Sequence, residues 1–216
     1  MKRGAIFDMD GTLVDTEKLY RKLWIETADF FGAERKPELA VAMSGSGLAQ
    51  MPSILKKFYP DLDADKYIAK VFEGVKAESE KKLEVKSGVE EILQYFFENN
   101  IPAAVASSSE TFVVEDRVKR LGWEKYFCAL VGGDQIKNGK PAPDIFLKAA
   151  KAIKIEPVDC YVFEDSFNGV RAGAAANCST IMVIDCVEPT EEIRKLCSGV
   201  FNDMNETLKA IKNGEI

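Results

Sequence analysis

The chain has 216 residues, 46% apolar and 30% charged, enough to bury the core of one domain or of a domain carrying an insertion. Its net charge of −6, with no dense Lys/Arg block, excludes an extended nucleic-acid footprint. No histidine occurs, so Ser-His-Asp and Cys-His catalysis, phosphohistidine chemistry and the common imidazole metal sites are all excluded, and acid–base work falls to carboxylates, Lys, Tyr or Cys.

Met1-Lys2-Arg3 has the charge of a secretory leader, but Asp8 and Asp10 break the apolar stretch behind it. No window approaches the roughly 18 consecutive apolar residues of a membrane span. A cytoplasmic location, with no membrane or nucleic-acid partner, is therefore expected. Ala5-Ile6-Phe7 reads as a short strand running into the tight turn Asp8-Met9-Asp10-Gly11. From 16 to 83 the pattern turns helical (Leu19, Leu23, Thr27, Phe30, Phe31, then Ile54, Leu55, Phe58) and reads as an inserted helical cap. Phe30, Phe31 and Phe58 are expected in the core of that cap. Tyr20 and the loop Ser44 to Gln50 are its expected substrate-side residues.

Beyond the insertion, strands alternate with helices. Ser87-Gly88-Val89-Glu90 has capping-box spacing ahead of the stripe Ile92, Leu93, Phe96, Phe97. Apolar runs at Ile101 to Ala106, Ala129 to Val131, Cys160 to Phe163 and Thr180 to Ile184 lack alternation, as strands buried on both faces of a parallel sheet do. Val113, Val114, Arg117, Val118 and Leu121 repeat at helical spacing, and Pro141 and Pro143 feed a helix beginning near Ile145. The predicted fold is α/β, a Rossmann-like parallel sheet core (1-15 plus 84-216) with an all-helical cap (16-83). Cys128, Cys160, Cys178, Cys186 and Cys197 are odd in number and widely spaced, which suits buried hydrophobes rather than a zinc site or disulfide framework.

The chemistry lies at strand ends. Asp8 and Asp10, two residues apart, leave the backbone on the same side while the strand lasts, and ligands of open α/β sheets bind beyond such ends. An EF-hand loop fits poorly, because its glycine belongs at loop position 6. Ser107, Lys140 and Glu164-Asp165 also fall at strand ends or in connecting loops. Taken singly, each also fits a helix cap, a surface turn or a solvated charge; taken together they suit phosphoryl transfer. A carboxylate attacking a phosphate monoester faces repulsion of roughly 4 kcal/mol at about 4 Å and an effective dielectric of 20. A hard divalent cation offsets that repulsion, and such covalent catalysis needs no histidine.

These residues resemble the haloacid dehalogenase superfamily. Phe7-Asp8-Met9-Asp10-Gly11-Thr12-Leu13-Val14-Asp15 is similar to its first motif, Ser107 stands at the second, Gly139-Lys140-Pro141-Ala142-Pro143-Asp144 resembles the third and Phe163-Glu164-Asp165-Ser166 the fourth. The resemblance implies Asp8 as nucleophile and Asp10 as general acid/base. It also implies Ser107 and Lys140 on the phosphate, and one Mg2+ per chain held by Asp8, the Asp10 carbonyl and Asp165 with Glu164 assisting, Mn2+ or Co2+ being possible substitutes. Wording around Lys140 and Asp165 resembles the branch of beta-phosphoglucomutase and sugar-phosphate phosphatases. Tyr20 stands where the mutase has His, Thr12 stands where it has Val, and the 44–50 loop lacks its Arg. The expectation is therefore a monomeric phosphatase of small phosphorylated carbohydrates acting through an aspartyl phosphate; a sugar-phosphate mutase and a non-catalytic binding module are the alternatives.

Overall fold

A computed structural model describes residues 2–43, 46, 50–185 and 187–216. The chain divides into two compact units, one formed by Met1–Val14 with Val85–Ile216 and the other by Asp15–Glu84. The first opens with β1 (Gly4–Phe7). The second holds α1 (Thr16–Phe30), α2 (Pro37–Met43), α3 (Met51–Phe58) and α4 (Ala64–Lys81). The first then resumes with α5 (Val89–Glu98), β2 (Ala103–Ala106), α6 (Thr111–Arg120), β3 (Phe127–Val131), α7 (Asp144–Ala152), β4 (Cys160–Glu164), α8 (Phe167–Ala175), β5 (Ser179–Val183), α9 (Glu191–Leu196), β6 (Gly199–Phe201) and α10 (Met204–Asn213). Among the described residues no helix is long and apolar enough to cross a membrane.

In the α/β unit the strands form a six-stranded parallel sheet in the order β3-β2-β1-β4-β5-β6. The continuous apolar runs follow from burial on both faces. Ala5, Phe7, Val105, Phe163 and Ile181 pack with residues of α5, α6 and α10, while Ile6, Ala104, Ala106 and Val162 pack with Ile145, Phe146 and Ala149 of α7 and Ala172 of α8. Chain order reverses at β1, which lies between β2 and β4, so this centre is the switch point where such sheets bind ligands. Phe7 pairs with Val105 on one side and Phe163 on the other, so the residues following each come out along one edge. Phe7 and Phe163 stack at 4.5 Å, and Phe96 of α5 closes over both. Phe96→Ala should lower unfolding stability by about 3–5 kcal/mol, read from the urea midpoint, because it leaves a cavity against rigid sheet.

One local expectation changes. Ser87 does not cap α5: Gly88 holds the N-cap position in the left-handed region (φ +80°), no side chain caps it, and the Ser87 hydroxyl accepts from Asn205 of α10 at 2.9 Å. A Cβ at Gly88 would overlap the Asn205 backbone, so close packing against α10 requires glycine there. The chain also adds β6 and α10 at the far edge of the sheet, α10 being capped by Asp203 and buried through Met204, Leu208 and Ile211.

The helical unit has its own core. Trp24, Leu39, Leu55, Tyr67, Val71 and Val75 gather at its centre, with Phe31 and Phe58 packed against them, and Tyr67 donates to the Trp24 carbonyl at 2.8 Å. Phe30 is a correction: it ends α1 at 68% exposure with the Lys70 ammonium 4.8 Å above its ring, because the chain turns before its face can be covered. Tyr20, expected to face substrate, packs against this core with its ring edge-on to Phe72 at 5.6 Å. Of the expected loop 44–50, residues 44, 45, 47, 48 and 49 lie outside the described residues.

Candidate active site

At the end of β1 the chain keeps one more sheet bond, Asp8 N–H to the Phe163 carbonyl at 3.0 Å, and then turns sharply. Gly11 adopts φ +84° with its N–H on the Val14 carbonyl at 2.9 Å. A Cβ there would overlap the Asp165 carboxylate, so glycine lets the β1 and β4 loops approach. Thr12 Oγ1 ties them by donating to Asp165 Oδ1 at 2.9 Å.

Lys140 is the hub. Its Nζ lies 2.5 Å from Asp8 Oδ1, 2.6 Å from Glu164 Oε1 and 3.2 Å from the Ala106 carbonyl, so one ammonium joins the ends of β1, β4 and β2. Ser107 follows Ala106 directly and is buried; its N–H bonds the Val131 carbonyl of β3 at 3.0 Å, and its hydroxyl accepts from Ser109 N–H at 3.1 Å. The predicted residues Asp8, Ser107, Lys140, Glu164 and Asp165 therefore meet at one edge of the sheet.

Glu164, expected to assist a metal ion, has both carboxylate oxygens engaged within the protein. Its Oε1 takes Lys140, its Oε2 accepts from Asp165 N–H, Ser166 N–H and Ser166 Oγ at 2.9–3.1 Å, and the residue is 0% exposed. Its contacts hold Lys140 and the turn into α8, whose N-cap Ser166 accepts from Gly169 N–H at 3.1 Å. A Cβ at Gly169 would lie inside the Glu164 carboxyl group. Gly169→Ala is accordingly expected to lose about 1–3 kcal/mol of stability by overpacking and most activity, checked by melting and phosphate release together.

The electrostatics are unbalanced towards negative charge. Burial pushes Asp8 up to about 8, and the Glu164 and Asp10 carboxylates add to the rise against the opposing pull of Lys140. Burial likewise raises Asp165 well above the usual range, reinforced by Glu164, Asp8 and Asp185. Burial alone would lower Lys140, but Asp8 and Glu164 outweigh it, so the ammonium stays charged. Two buried carboxylates, Asp8 and Glu164, thus share one lysine, with the raised Asp165 close to them, an oxygen-rich set of the kind that a hard cation favours. No ready cage of three acidic or cysteine side chains exists among the described residues. Asp8 and Asp165, with a backbone carbonyl of the β1 turn, are the residues that could hold such an ion.

Asp10 brings in two residues that the motifs did not flag. Its Oδ1 accepts from Arg117 Nη1 at 2.7 Å and its Oδ2 from Ser109 Oγ at 2.9 Å. The signal was present in sequence: Arg117 interrupts the apolar face formed by Val114 and Val118 of α6, and a buried guanidinium requires an acidic partner.

Known proteins are similar to this chain in sequence and in fold. The family model described as haloacid dehalogenase-like hydrolase matches residues 5–183. Relatives include the fructose-1-phosphate phosphatase YqaB of Escherichia coli, 33% identical over 83% of this chain and 95% of its own length. A phosphorylated carbohydrates phosphatase of Thermotoga maritima is also 33% identical, over 82% of each chain. A solved structure from Thermotoga maritima, provisionally described as a beta-phosphoglucomutase, matches with TM-score 0.82 at 29% identity over 99% of both chains. A HAD family hydrolase from Deinococcus radiodurans, with phosphate and sodium bound, shares the fold at TM-score 0.83 and 21% identity over 99% of this chain and 96% of its own.

Proposed function

Because the chain belongs to the haloacid dehalogenase-like hydrolases, we propose that it is a magnesium-dependent phosphatase of small phosphorylated carbohydrates, with Asp8 as nucleophile and Asp10 as acid and base. The observation that carries this reading is the Lys140 ammonium shared by Asp8, Glu164 and the Ala106 carbonyl at the sheet's switch point. It sets a fixed cation beside a carboxylate where an incoming phosphate would lie, and the adjacent Ser107 hydroxyl offers a second contact to phosphate oxygen.

Asp8 attacks phosphorus, the ester P–O bond breaks, and Asp10 donates a proton to the departing alkoxide. Asp10 then takes a proton from water as that water attacks the same phosphorus, which frees Asp8 and releases inorganic phosphate. Asp8, Asp165 and the Asp10 backbone carbonyl would hold the magnesium ion, which supplies compensation for the charge between carboxylate and phosphate. Glu164, in contact with Lys140, keeps the ammonium aimed at Asp8.

A phosphate-release screen over sugar phosphates, polyol phosphates and nucleotides tests the reading. Turnover should favour the sugar and polyol esters and fall on the order of 10³-fold when EDTA removes divalent ions. Unchanged rates in EDTA would overturn the metal role, and silence across the panel would overturn the phosphatase reading. The 29% identical neighbour described as a mutase supports a second reading, transfer within a hexose phosphate. Formation of glucose 6-phosphate from the beta-1-phosphate, primed with bisphosphate and faster than phosphate release, would favour it.

A further inference from the structure

We infer that Arg117, together with Ser109, is a positioning residue that fixes the Asp10 carboxylate for proton transfer; this rests on the acid–base role proposed for Asp10. Arg117 lies on the buried face of α6 between Val114 and Val118 and is only 8% exposed. A buried guanidinium is unfavourable without a carboxylate partner, so the contact with Asp10 is required by the packing of the helix and does not rest on a surface approach. The two donors engage different oxygens, Arg117 Oδ1 at 2.7 Å and Ser109 Oδ2 at 2.9 Å, which fixes the plane of the carboxylate as well as its place. Ser109 also donates its backbone N–H to the Ser107 hydroxyl, so one turn ahead of α6 sets the Asp10 carboxylate and the expected phosphate contact together.

The geometry has a directional consequence. Neither Arg117 nor Ser109 contacts Asp8 or Lys140 in the bonds formed here, so their loss should disturb proton transfer and leave phosphate capture intact. An Asp10 carboxylate without these donors samples other rotamers, and each turnover waits for the productive one.

The experiment uses the full chain with magnesium and fructose 1-phosphate as probe, comparing wild type, Arg117→Met, Arg117→Lys, Ser109→Ala, Asp10→Asn and the Asp10→Asn/Arg117→Met double variant. Loss of a charge-assisted hydrogen bond predicts kcat lower by about 10- to 100-fold in Arg117→Met, with KM within about 3-fold. Arg117→Lys, which keeps a donor, should recover part of kcat, and added guanidinium ion should raise the rate of Arg117→Met. Ser109→Ala strands no buried charge and should lower kcat by about 3- to 10-fold even if Arg117→Met folds poorly. In the Asp10→Asn background, Arg117→Met should cost less than about 3-fold more, because the group it positions is already disabled. Wild-type kcat in both Arg117→Met and Ser109→Ala, or a full further loss in the double variant relative to the residual rate of Asp10→Asn, would overturn the inference while Asp10→Asn itself stays strongly impaired. An active Asp10→Asn would instead remove the acid–base reading beneath it.

Discussion

Lys140→Met is expected to destabilise the protein by about 3–5 kcal/mol and to lower phosphate release by at least about 10³-fold, the first read from urea unfolding and the second from steady-state assay with magnesium. The stability figure follows from what the substitution leaves behind. Asp8 and Glu164 are both buried and both contact the same Nζ, at 2.5 and 2.6 Å. Methionine fills the volume beside Phe146, over whose ring the ammonium sits at 5.0 Å, so lost packing contributes little. Lost charge contributes most, because two carboxylates then share a buried space with no counter-ion. Glu164→Gln separates the effects: it relieves one negative charge while leaving Lys140 an acceptor, and should cost less than half as much stability. A Lys140→Met protein as stable as wild type would contradict the hub role.

Asp8→Asn should abolish turnover, by at least about 10⁴-fold, and yet leave the fold as stable as wild type or more so by about 1 kcal/mol. The amide keeps an oxygen for Lys140 and removes a carboxylate that burial and its acidic neighbours hold up at about 8. Folding thus no longer bears the desolvation of that group at neutral pH, while the nucleophile is gone. Melting temperature and phosphate release measured on one preparation check both halves. Loss of stability together with activity would mean that Asp8 is structural before it is catalytic.

The site is legible in the sequence as far as strand ends mark it. Asp8, Asp10, Ser107, Lys140, Glu164 and Asp165 lie at or beyond the ends of apolar runs, and parallel sheets bring such ends to one edge. Runs buried on both faces, such as Ala5 to Phe7 and Cys160 to Phe163, carry an unbroken apolar signal. β6 carries almost none: Gly199, Val200 and Phe201 form three half-buried residues at the sheet edge. Its following helix α10 does show an amphipathic stripe, Met204, Leu208 and Ile211, which alternation of strand and helix could have anticipated. Ser87 misled because capping-box spacing says nothing of the left-handed Gly88 that α10 forces upon the turn. Phe30 misled because helical period alone does not tell which turn the core covers. Arg117 breaks an apolar helical face and so calls for an acidic partner, but that partner is 107 residues away and only the folded sheet identifies it as Asp10.

A rapid-quench digest most directly tests whether this edge of the sheet accepts a phosphoryl group. The protein is mixed with magnesium and a turned-over sugar phosphate, stopped in acid within one turnover, and its peptides are weighed. A phosphoryl mass on the peptide containing Asp8, absent from Asp8→Asn and accumulating in Asp10→Asn if hydrolysis slows more than attack, is the expected result. Phosphate release with no such adduct at any quench time, or an adduct on another residue, would contradict it.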